Sequence, residues 1–153
     1  MRILGIDFGS TRIGFAIGDS ETSIAVPLDV DQITGNDDPV SAVLGRADVR
    51  AVGKLVVGMP VSMDGTIGPQ GKIVQSFIVE LSKRTKIPVV SWDERLSSVQ
   101  ADKLLSEIPT NPRKRSKKNR SSNDSIAAMV ILQSYLDSYL SGARETVKDR
   151  GKH

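Results

Sequence analysis

Arg2-Ile3-Leu4-Gly5-Ile6-Asp7-Phe8 opens the chain as a buried strand with a single acid near its end. An ionised carboxylate in so apolar a run is unfavourable unless something compensates it, and a divalent cation is a natural partner. Asp7 is therefore the first candidate for chemistry. Two more strands follow closely, Arg12 to Asp19 and about Ser23 to Val30, joined by the links Gly9-Ser10-Thr11 and Ser20-Glu21-Thr22. Links this short imply antiparallel neighbours.

Beyond them the pattern changes to alternating helices and strands. Asp38-Pro39 has the form of an N-cap followed by proline at the first helical position, and Val40, Val43 and Leu44 continue at helical spacing to about Val49. Lys54 to Gly58 is a strand, and Pro60, Asp64-Gly65 and Gly68-Pro69 mark the loop after it. A helix is expected from about Pro69 to Thr85 on an apolar stripe of Ile73, Val74, Phe77, Ile78 and Leu81. Pro88 to Trp92 reads as the fifth strand. A helix from about Ser98 to Glu107 follows, with Ser97 and Gln100 as a capping box. The final helix spans about Asn123 to Leu140, and residues 141–153 form a polar tail. The expected fold class is α/β: one domain over residues 1–140 with a mixed five-stranded sheet, three strands antiparallel and the later ones parallel, flanked by helices.

Composition narrows the chemistry. The 153-residue chain has no cysteine and its only histidine is His153. Thiolate sites, disulfides and histidine-dependent catalysis are thereby excluded or made remote, which leaves carboxylates, lysines, arginines and hydroxyls. No apolar run approaches membrane-spanning length, and the N-terminus lacks the zones of a signal peptide, so the expected location is cytoplasmic, with no membrane partner.

Two further acids stand at element ends like Asp7: Glu94, just beyond the fifth strand, and Asp124, at the expected start of the last helix. Ligands of such sheets collect beyond the carboxyl ends of the parallel strands. Asp93 is an alternative to Glu94, because adjacent strand residues point to opposite faces and only one of them can face Asp7. For Asp124 a helix-start role, stabilised by free backbone N–H groups, remains open. Arg113, Lys114, Arg115, Lys117, Lys118 and Arg120 place six positive charges within eight residues, and without them the net charge of +3 becomes −3. A loop over 109–122, mobile and basic, is expected, and it suits a polyanion such as nucleic acid.

Four blocks together resemble one family. They are Gly5-Ile6-Asp7-Phe8-Gly9-Ser10-Thr11-Arg12-Ile13-Gly14-Phe15-Ala16, Val56-Val57-Gly58-Met59-Pro60 leading to Asp64-Gly65-Thr66, Asp93-Glu94-Arg95-Leu96-Ser97-Ser98, and Asp124-Ser125-Ile126-Ala127-Ala128 leading to Ile131-Leu132-Gln133-Ser134-Tyr135-Leu136. In this order they resemble the YqgF family, also called RuvX, over roughly residues 1 to 140. The resemblance implies a ribonuclease H-like fold and a nuclease hydrolysing phosphodiester bonds with Mg²⁺ or Mn²⁺. It also implies 5′-end maturation of pre-16S rRNA as the task, with Holliday-junction resolution as an alternative, so RNA or branched DNA is the expected partner.

In that reading Asp7, Glu94 and Asp124 are both the catalytic residues and the metal ligands. Arg12, Arg95 and the basic cluster are candidates for substrate phosphate, although carboxylate pairing would explain Arg12 and Arg95 equally well. Trp92, Tyr135 and Tyr139 are expected in the core rather than stacked on bases. Two rivals remain: a non-catalytic RNA-binding assembly factor on the same fold, and an ATP-binding protein. The latter follows from the likeness of Asp7-Phe8-Gly9-Ser10-Thr11 to the first phosphate motif of sugar kinases, actin and Hsp70, although a single lobe of that size lacks the second phosphate loop.

Overall fold

The structure, a computed structural model, describes residues 1–33, 37–97 and 119–150, the last of these with its side chains over 124–139. Its elements are β1 (Arg2–Phe8), β2 (Arg12–Asp19), β3 (Ile24–Gln32), α1 (Pro39–Val49), β4 (Lys54–Met59), α2 (Pro69–Arg84), β5 (Val89–Asp93) and α3 (Asn119–Arg150). The five strands form one sheet in the order β3-β2-β1-β4-β5. β1, β2 and β3 are antiparallel neighbours, whereas β4 runs parallel to β1 and β5 parallel to β4. The carboxyl ends of β1, β4 and β5 therefore share one edge of the molecule. A bulge at Phe15/Ala16 lets Pro27 sit on the outer strand β3, where its missing N–H disturbs no inner ladder.

Alternation along β1 assigns its two faces. Leu4 and Ile6 join Ile13, Phe15, Leu55 and Val57 under α1 and α2, while Ile3 joins Ala16 and Val56 under α3. α1 starts where Asp38 accepts the N–H of Val40 at 3.1 Å and the hydroxyl of Ser41 at 2.8 Å. It buries Val40, Val43 and Ala47. α2 buries Gly71, Val74, Phe77 and Leu81. Ile73, expected on that stripe, is instead half exposed, because it lies one residue and about 100° around the helix from Val74.

α3 covers the second face with Ala128, Ile131, Leu132, Tyr135 and Leu136. It lies unusually close to the sheet because glycines face it. A Cβ on Gly5 would stand 2.8 Å from the Leu132 Cβ, and one on Gly14 would overlap the Asp124 carbonyl. Trp92 and the two tyrosines belong to this layer: Trp92 Nε1 donates to Ser134 Oγ at 3.1 Å, and its ring meets Tyr135 edge-on. Lys54, buried at the start of β4, donates to Tyr135 Oη at 2.9 Å.

The sequence-based boundaries of α3 need correction. The helix begins at Asn119, inside the expected loop, and continues to Arg150, through most of the expected tail. Residues 141–150 are polar but contain no proline, and Ala143, Arg144, Glu145 and Lys148 are strong helix formers. The expected helix from Ser98 to Glu107 and the expected loop up to residue 118 lie outside the described residues. Among the described residues, no helix is long and apolar enough to cross a membrane.

Candidate active site

Asp7 is the last residue but one of β1, and its neighbours decide where it points. Phe8 turns to the α2 side, stacked on Phe77 at 4.2 Å. Asp7 consequently projects to the opposite face, the one covered by α3. It pairs across the ladder with Gly14, the residue over which the Asp124 backbone lies. The glycine is thus what allows the helix to bring Asp124 beside Asp7.

Glu94 arrives from the other side. Its N–H donates to the Met59 carbonyl at 3.0 Å, which ties the residue after β5 to the end of β4. Gly58 leaves the space for its side chain, since a Cβ there would stand 2.9 Å from Glu94 Oε1. Ser97 closes the turn, its hydroxyl donating to the Glu94 carbonyl at 2.7 Å. The sequence suggests Ser97 as the cap of a following helix, together with Gln100; in the structure it fixes the Glu94 backbone, and Gln100 lies outside the described residues.

Asp7 and Glu94 are hydrogen-bonded to each other, and both resist ionisation. Burial, and then the nearby Asp124 charge, push the Asp7 carboxyl up to about 6. Burial, and then repulsion from Asp7, push Glu94 up to about 7. Two carboxyls that share a proton lack a compensating positive charge, which a cation bound there would supply. Because all the available donors are carboxylate oxygens, with neither sulfur nor imidazole, the donor set is of the kind that suits a hard divalent cation. Among the described residues, however, no three acidic side chains converge closely enough to hold one ion as they stand. The pair is assembled, and the third acid is engaged elsewhere.

That third acid, Asp124, accepts from Arg12 Nη1 at 3.3 Å. It lies in the second turn of α3, five residues after Asn119. A helix-start role therefore no longer explains it, because its own N–H is beyond the four that a helix leaves free. Asp93 and Glu94 separate as strand alternation requires. Asp93 turns away from Asp7 and grips Arg95, Nη2 to Oδ2 at 2.7 Å and Nε to Oδ1 at 3.2 Å, while also accepting the Arg95 N–H at 2.9 Å. The Arg95 hydrogen bonds hold the Asp93 carboxyl below the usual range. Asp93, the alternative to Glu94, and Arg95, a candidate phosphate contact, thus engage each other in this arrangement.

Arg113, Lys114, Arg115, Lys117 and Lys118 lie outside the described residues. Arg120 falls in the first turn of α3, one turn before Asp124, so the basic run leads straight into the helix that carries the third acid. Gly58, Gly14 and Ser97 are the contributors that residue chemistry alone does not reveal, because their role depends on what lies above them.

Comparison with known proteins places these features in context. The family model described as "RuvX: Holliday junction resolvase" matches residues 1–138. A protein of Desulforudis audaxviator named "Putative pre-16S rRNA nuclease" is 39% identical over 142 residues, covering 93% of this chain and 98% of its own. A protein of the same name from Caldanaerobacter subterraneus is 42% identical over 138 residues, covering 90% and 97%. Among solved structures, T. thermophilus RuvC in complex with Holliday junction substrate superposes with a TM-score of 0.59 at 14% identity, covering 92% of this chain and 96% of that one. The Fowlpox virus resolvase with Holliday junction DNA gives 0.55, also at 14% identity, covering 92% and 99%. These structural matches show a shared ribonuclease H-like fold.

Proposed function

Because the chain belongs to the RuvX family, we propose that it is a metal-dependent nuclease that hydrolyses phosphodiester bonds in the 5′-end maturation of pre-16S rRNA. The observation that carries this reading is the hydrogen-bonded Asp7–Glu94 pair at the carboxyl ends of β1 and β5, with Asp124 close enough to raise the Asp7 pKa. A surface that only bound RNA would gain nothing from three acids facing phosphate, since each repels it.

Asp7, Glu94 and Asp124 would hold Mg²⁺ or Mn²⁺, which when bound supplies the positive charge that activates water and stabilises the leaving oxygen. The chain's own residues do the positioning. Gly58 and Ser97 hold Glu94 toward Asp7, Gly14 brings Asp124 beside it, and the Asp93–Arg95 ion pair keeps the first acid of the Asp93-Glu94 dipeptide away from the pair. Arg113, Lys114, Arg115, Lys117, Lys118 and Arg120 supply sequence-independent phosphate contacts. The nuclease domain spans residues 1–140, and its place of work is the cytoplasm.

A second substrate is favoured by the description of the matching family model, which names a Holliday junction resolvase. The two are separated by offering wild type and Asp7→Asn a 5′-leader RNA of pre-16S rRNA and a synthetic four-way DNA junction, each with Mn²⁺, Mg²⁺ or EDTA. Metal-dependent RNA cutting that disappears in Asp7→Asn supports the proposal. Cutting of the junction alone moves the substrate to DNA, and binding without cleavage of either leaves an assembly factor.

A further inference from the structure

Each acid near the site has found a different compensation. Asp7 and Glu94 share a hydrogen bond, Asp93 holds Arg95, and Asp124 holds Arg12. The last of these differs in kind from the Asp93 pair. Arg95 is bound through two nitrogens, Nε and Nη2, to an acid two residues away, whereas Arg12 reaches Asp124 across 112 positions through one nitrogen at 3.3 Å. Both side chains remain about one-third exposed. A single-point, partly exposed ion pair is the weak form of the interaction.

The Arg12 backbone, by contrast, is held firmly. Its carbonyl accepts the Gly9 N–H at 2.8 Å, and the neighbouring Thr11 carbonyl accepts the Ile33 N–H at 2.8 Å. A fixed backbone with a long, loosely held side chain allows partner exchange without movement of the strand. A divalent cation held by Asp7 and Glu94 would compete with Arg12 for the Asp124 carboxylate, and a guanidinium released from it would be free to meet a substrate phosphate. Its planar fork matches phosphate oxygens.

We propose that Arg12 is an exchanging positioning residue: it competes with the divalent cation for Asp124 and, once displaced, takes a phosphate of the nucleic acid instead. This rests on the nuclease reading for its substrate, and on the Arg12–Asp124 contact for its mechanism. It makes the arginine's contribution to substrate binding conditional on metal.

The test is a double-mutant cycle of Mn²⁺ binding, followed by the paramagnetic resonance of free Mn²⁺, in wild type, Arg12→Ala, Asp124→Asn and the double variant. Removing any nearby positive charge favours a cation, so the Asp124→Asn background is the control that separates competition from general charge. Arg12→Ala should tighten Mn²⁺ binding roughly fivefold when Asp124 is present, the scale of a partly exposed ion pair, and hardly at all in Asp124→Asn. Equal tightening in both backgrounds, or none in either, overturns the exchange. Arg12→Gln supplies the same comparison if the alanine variant does not fold.

The second measurement is binding of a labelled single-stranded 5′-leader RNA in Ca²⁺ and in EDTA. Arg12→Ala should weaken binding and lower the salt slope by roughly 0.7, one single-strand phosphate contact, only when Ca²⁺ is present, and Arg12→Lys should recover part of the loss. An equal loss in EDTA overturns the conditional role. If Mn²⁺ binding follows the expected cycle in a protein that cuts neither RNA nor junction DNA, the nuclease reading fails while the competition for Asp124 stands.

Discussion

Replacing Asp7 by asparagine should stabilise the protein at alkaline pH in EDTA even as it abolishes cleavage. In the folded state the Asp7 carboxyl is raised from 3.8 to about 6 and the Glu94 carboxyl from 4.5 to about 7. The folded protein thus binds protons more tightly than the unfolded chain, so this pair contributes most below about pH 4 and loses its contribution as pH rises to about 7. At about 1.4 kcal/mol per pH unit, the Asp7 share alone is about 3 kcal/mol. The asparagine side chain keeps the shape, carries no charge and relieves Glu94 of its repulsion. The groups facing the pair, Asp124 with Arg12 on one side and Asp93 with Arg95 on the other, are unchanged in the variant, so the difference between the two proteins isolates Asp7.

Urea unfolding followed by the fluorescence of Trp92, the only tryptophan, reads that difference. With a slope of about 2 kcal/mol per molar urea, the Asp7→Asn midpoint should lie about 1–1.5 M above wild type at pH 8 and approach it near pH 4. Saturating Mn²⁺ at pH 8 should raise wild type by about 2–3 kcal/mol at a hundredfold excess over its Kd, with the variant gaining far less. An asparagine variant less stable than wild type at pH 8, or parallel to it at every pH, would refute the electrostatic account of the site.

Other substitutions test the geometry. Gly14→Ala should force α3 off the sheet at Asp124, destabilising the protein by about 1–3 kcal/mol and lowering kcat at least tenfold in a cleavage assay; full activity would mean that the helix position is not what delivers Asp124. Glu94→Gln should eliminate cleavage, whereas Asp93→Asn should retain most of it and weaken only the grip on Arg95, and a reversal of the two would exchange their assignments. Neutralising the six basic residues from Arg113 to Arg120 should weaken RNA binding most at low salt and flatten its salt dependence by up to roughly 0.7 for each phosphate left without its cation, measured by fluorescence anisotropy. An unchanged slope would remove that segment from the interface.

The strands are legible in the sequence because their signals are local. β1 and β2 have the boundaries read from their apolar runs, and Asp38-Pro39 marks the start of α1 to the residue. Extended runs and helix caps declare themselves in a few neighbouring positions. The limits of α3 are not legible, because the segments at 119–122 and 141–150 lack an apolar period and the helix there does not announce a buried face. Ile73 misleads for a related reason: Ile73 and Val74 both fit a stripe, and only the position of the sheet chooses between them. Within the site, the residue types of Asp7, Glu94 and Asp124 draw attention to themselves. Which partner each one takes does not, since Asp93 and Glu94 differ only in the side of β5 they leave from, and the service of Gly58 and Gly14 is visible only with Glu94 and Asp124 above them.

Gly5 and Gly14 make the second face of the sheet a bed shaped for α3, and Asp124 comes with that helix. During synthesis, Asp7 and Glu94 leave the ribosome well before residue 124 does. A nascent chain in that interval has two of the three acids and one uncovered sheet face, so it can neither finish its core nor complete the proposed site. With Asp124 in the role proposed for it, docking of the last helix would complete the core and the acidic site in a single event. For a protein proposed to cut ribosomal RNA precursors, the order of its segments doubles as a safety interval.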